Sequence, residues 1–112
     1  GPKAVRIECR IGGSYLSPYL AMAAQIAAGI KGIEDEMDLQ PPLSGDAYEA
    51  EDDNHIPRTL RDAADALEGS AMLRAAFGDA VVDHYVRAAR WEQEEFDRVV
   101  TDYEIARGFE RA

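Results

Sequence analysis

Arg6, Glu8 and Arg10 are the residues whose types and spacing could do chemistry in this chain. They alternate with Val5, Ile7, Cys9 and Ile11, all apolar. Strict period-two alternation predicts a strand over residues 4–11, with one face toward a core and one toward solvent or a site. Side chains on one face of a strand recur about every 6–7 Å. Two guanidiniums astride a carboxylate at that spacing could hold a phosphate and a divalent cation together. The arginine fork suits phosphate and carboxylate, and a hard cation takes carboxylate oxygen. On spacing alone, a solvated face of alternating charge fits as well.

The remaining candidates are weaker. His55 and His84 each stand alone, and no His, Cys or carboxylate pair has metal-ligand spacing. They read as surface or packing residues. Cys9 falls on the apolar face and reads as a small core residue. Tyr85, Trp91, Phe96 and Tyr103 read as helix-face packing. The glycines fall at turns and helix ends, in no phosphate-binding pattern.

The elements that must position these residues are mostly helices. Gly12-Gly13-Ser14 is a turn. Ser17 as N-cap and Pro18 at the first helical position start a helix over 18–33. Its residues are apolar nearly all round, so it is expected to be buried. Residues 34–58 read as a loop with nine acids (Glu34, Asp35, Glu36, Asp38, Asp46, Glu49, Glu51, Asp52, Asp53) and no Lys or Arg between Lys31 and Arg58. The loop reads as a solvated acidic surface, the other reading being a divalent-ion site whose spacing matches no EF-hand. Helices are predicted over 60–68, 71–77 and 80–107, capped by Thr59, Ser70 and Asp79. Asp83–Arg87 and Glu94–Arg98 would pair four apart. Thr101 with Glu104 has the form of a capping box, which predicts a kink or restart in the last helix.

The chain has 112 residues, 46% hydrophobic and 30% charged, which is material for one modest globular domain. Twelve cationic against 22 acidic side chains give a net charge of −10, a poor match to nucleic acid. A single cysteine excludes an internal disulfide framework and fits a reducing compartment. No apolar run is long enough to span a bilayer. These features predict a soluble cytoplasmic protein without nucleic-acid or membrane partners. A lone strand and an all-round apolar helix have little to pack on in a chain of this length. Either they pair with another molecule, or they belong to a larger protein.

Arg6-Ile7-Glu8-Cys9-Arg10, the glycine turn, Pro18-Tyr19-Leu20-Ala21 and Ala28-Gly29-Ile30-Lys31-Gly32-Ile33 together resemble the C-terminal end of the glutamine synthetase family. Pro41-Pro42, Gly45-Asp46-Ala47-Tyr48, Ile56-Pro57-Arg58-Thr59-Leu60 and the tail from Trp91-Glu92 to Arg107-Gly108-Phe109-Glu110-Arg111 extend the likeness over essentially the whole chain. The resemblance implies the C-terminal portion of an α+β catalytic domain, mainly α in this part, with one N-terminal strand and four or five helices. It implies an ATP-dependent ligase that converts glutamate to γ-glutamyl phosphate, which ammonia or an amine then displaces. ATP and Mg2+ or Mn2+ would be its cofactors, and a homo-oligomer its assembly. By the same likeness Glu8 would be a metal ligand, Arg10 would hold the substrate carboxylate side and the transferring phosphate, and Arg6 would serve the nucleotide phosphates. Where the family usually has Asp-x-Asn-Pro-Tyr, this chain has Tyr15-Leu16-Ser17-Pro18-Tyr19, with a ring in place of a small acid. The segment alone is expected to be inactive. The other reading is a stand-alone helical interaction module without catalysis.

Overall fold

The computed structural model describes residues 1–46 and 56–111, in two compact units, Gly1–Ile56 and Pro57–Ala112. Five α-helices and a short 3-10 turn at Pro2–Ala4 make up the regular structure among the described residues.

The first unit holds α1, Pro18–Glu34. Ser17 precedes it in an extended conformation and Pro18 supplies a preset φ at the first helical position, although the Ser17 hydroxyl makes no capping bond. Lys31 in the last turn holds Asp35 at 2.6 Å, placing a cation near the negative end of the helix dipole. The chain leaves through Glu36, at φ +50°, while the Met37 N–H donates to the Gly32 carbonyl. Such a left-handed exit satisfies carbonyls that the helix end would orphan.

Two expectations are corrected here. Residues 4–11 form no strand: Pro2–Ala4 is a 3-10 turn and 5–11 are irregular. A ladder needs a second backbone at about 4.8 Å, and no described residue supplies one. The helix expected to be buried has no buried residue, and Met22, Ile26, Ile30 and Ile33 are all exposed. Its composition is that of a core helix, and the unit offers it no core.

The second unit packs α2, Leu60–Glu68, and α3, Ala71–Phe77, against α4, Asp79–Asp97. Its buried centre is Ala64 from α2 with Val82 and Val86 from α4. Arg61 at the start of α2 reaches Asp97 at the end of α4 at 2.8 Å, while Arg90 reaches back to Asp65 and Glu68. Those pairings make α2 and α4 antiparallel. Arg74 of α3 donates to the Glu68 carbonyl at 2.8 Å and to Asp79 and Asp83, which fixes the corner between the three helices.

Thr59 and Ser70 cap α2 and α3, accepting from the N–H groups of Asp62 and Leu73. Asp79 is the first helical residue of α4 rather than its cap. Gly78 takes that position at φ +85°, ψ 153°, a conformation open in practice to glycine alone. The helix expected over 80–107 is two helices. It stops at Asp97 and restarts as α5, Asp102–Glu110, where Thr101 and Glu104 form a complete capping box. Two expected pairs are exchanged: Asp83 joins Arg74 instead of Arg87, and Arg98 joins Glu95 instead of Glu94. Tyr85, Trp91, Phe96 and Tyr103, expected to pack on helix faces, are all exposed.

Candidate functional site

Part of the alternation expected over residues 5–11 remains without a strand, at 8–11 alone, while Val5 and Ile7 are almost fully exposed. Arg10 donates its Nε–H to Glu8 Oε1 at 2.7 Å, so the two charged side chains share one side of the segment. Cys9 and Ile11, the residues between and after them, line a shallow groove with Leu16, Pro18, Ala21 and Met22. Cys9 and Ile11 thus border the first turns of α1, though both stay exposed, and neither Glu8 nor Arg10 lines that groove. Arg6 stands apart. Its Nη1 lies 3.4 Å from the Ala4 carbonyl, at the weak end of hydrogen bonding.

Glu8 and Arg10 are exposed, with side chains 55% and 77% accessible. An exposed pair of this kind adds little to stability, so the fold does not require it. Chemically it presents a carboxylate with one oxygen engaged and a guanidinium whose two Nη atoms lie outside that bond. The first is a hard donor, the second an anion-binding edge. Cys9 is exposed too, a correction to its reading as a core residue.

Glu8 supplies one oxygen ligand, and a magnesium or manganese site needs several. No three His, Cys, Asp or Glu side chains converge on a cation site among the described residues. The donor set among the described residues therefore does not make a metal centre by itself. Glu49, Glu51, Asp52, Asp53 and His55 of the acidic stretch lie outside the described residues. His84 is exposed and meets the Tyr85 ring edge-on at 5.3 Å, which is a local contact.

The perturbed ionisations belong to structural contacts. Hydrogen bonds raise the pKa of Lys31 through Asp35, of Arg74 through Asp79 and then Asp83, and of Arg90 through Glu68 and then Asp65. The Thr101 backbone N–H, and after it the hydroxyl, lowers that of Glu104. Each is a clasp within or between neighbouring helices.

Sequence reasoning missed the contact that closes the turn after Ile11. A β-carbon placed on Gly12 would lie 1.8 Å from Leu16 Cδ2, so the Leu16 side chain rests directly on the Gly12 backbone. The Leu16 N–H donates to the Gly13 carbonyl at 3.2 Å, closing the turn. The visible signal was the pair of glycines three and four residues before a leucine.

No helix among the described residues is long and apolar enough to cross a membrane. The family model described as "Glutamine synthetase, catalytic domain" matches residues 1–108. A gamma-glutamylethanolamide synthetase of Streptomyces coelicolor is 49% identical over 109 residues, covering 97% of this chain and 23% of the relative. A type-1 glutamine synthetase of Dictyostelium discoideum is 34% identical, covering 98% of this chain and 22% of its own length. A glutamate–isopropylamine ligase of a Pseudomonas species is also 34% identical, covering 93% and 23%. The chain spans about a quarter of the length of these curated relatives.

Proposed function

The chain belongs to the glutamine synthetase catalytic-domain family, and from that premise we propose that it is the C-terminal part of an ATP-dependent ligase joining glutamate to ammonia or a small amine. The reaction would activate the γ-carboxylate of glutamate as γ-glutamyl phosphate and let the amine nitrogen displace the phosphate. ATP with Mg2+ or Mn2+ would supply the phosphoryl group and its charge neutralisation.

The residues of this chain have separate tasks in that reading. Glu8 would donate one carboxylate oxygen to a metal whose other ligands lie elsewhere in the enzyme. Arg10, held by Glu8 through Nε, would turn its Nη edge toward the substrate carboxylate and the transferring phosphate. Arg6 would meet the nucleotide phosphates. Phosphoryl transfer asks a protein chiefly for fixed positive charge and position. The Glu8–Arg10 bond carries the reading: a guanidinium is oriented beside a carboxylate at an exposed place where stability has no use for either.

The relatives include enzymes named for gamma-glutamylethanolamide and for isopropylamine as well as for glutamine, which supports ammonia or a small primary amine as the acceptor class. The exposed α1 supports a parent enzyme that covers it and oligomerises. The test is the longer protein carrying this segment, incubated with glutamate, ATP and Mg2+ against ammonia, ethanolamine and isopropylamine. Product mass and phosphate release are followed together. Amide formation with one of the three is the expected result. Phosphate release and amide both absent with all three would leave the helical interaction module as the reading.

A further inference from the structure

We draw no further inference here: the strongest candidate, the cleft between α2 and α4 lined by Ala64, Ala89 and Gln93, carries nothing, because the Arg61, Arg90 and Asp97 side chains around it belong to the ion pairs already described between the two helices.

Discussion

Arg90 on α4 donates to Asp65 on α2 at 2.9 Å across 25 positions of sequence, and the same Nη2 also serves Glu68. The pair is exposed, so its grip is electrostatic and open to salt. Arg90→Met is expected to lower the thermal midpoint of the second unit at low ionic strength and to do so less in concentrated salt. Val82→Ala, in the centre between the helices, is expected to cost about 2 kcal/mol with little dependence on salt. Calorimetry of both variants at two salt concentrations separates them.

Gly78 joins α3 to α4 at φ +85°. A side chain there is expected to cost roughly 1–3 kcal/mol, so Gly78→Ala should destabilise in chemical denaturation. Gly69 supplies the control. Its backbone is right-handed, at φ −82°, and a β-carbon would meet only the Asp65 carbonyl at 3.6 Å. Gly69→Ala is expected to be neutral or mildly stabilising.

Glu104 accepts from the Thr101 backbone N–H and hydroxyl, which holds its carboxyl below the usual range. A depressed folded-state pKa contributes stability above the unfolded value, near 4.5, and loses it as pH falls through the folded value. The α5 backbone shifts should therefore lose helical character on acidification through and below that pH. Glu104→Gln should remove this dependence, and Thr101→Ala should weaken the helix at every pH.

On the proposed ligase reading, Arg10→Ala in the longer protein carrying this segment is expected to lower kcat about 10²–10³-fold, the usual effect of deleting one charge-stabilising donor. Glu8→Gln is expected to raise the Mg2+ concentration needed for half activity. Amide formation measured across a metal titration distinguishes the two.

The isolated chain is expected to self-associate through Met22, Ile26, Ile30 and Ile33. Ile26→Glu with Ile30→Glu should return it to a monomer by light scattering.

What the sequence disclosed follows the range of the interactions. The caps at Thr59, Ser70 and Thr101 were legible because each partner lies three residues away. The break before α5 was legible for the same reason. The strand was not, since alternation fixes which side chains share a side and says nothing about whether a second backbone is present. The grouping of Glu8 with Arg10 therefore came through while the ladder did not. Arg74 and Arg90 bind partners as many as 25 positions away and left no local mark. The turn after Ile11 depends on how Leu16 folds back over Gly12, a contact written only as two small residues before a large one. Gly78 displaced Asp79 as the cap because the tight α3–α4 corner demands a conformation that a side chain resists.

The self-contained start of the last helix has a design consequence. Because Thr101 and Glu104 complete their own bonding and α2 and α3 pack on α4, residues beyond Val100 are expected to be removable without unwinding what precedes them. The Arg61–Asp97 clasp sits just inside that boundary. A shortened protein ending there is expected to keep its three-helix core, which separates what the tail does from what holds the helices together.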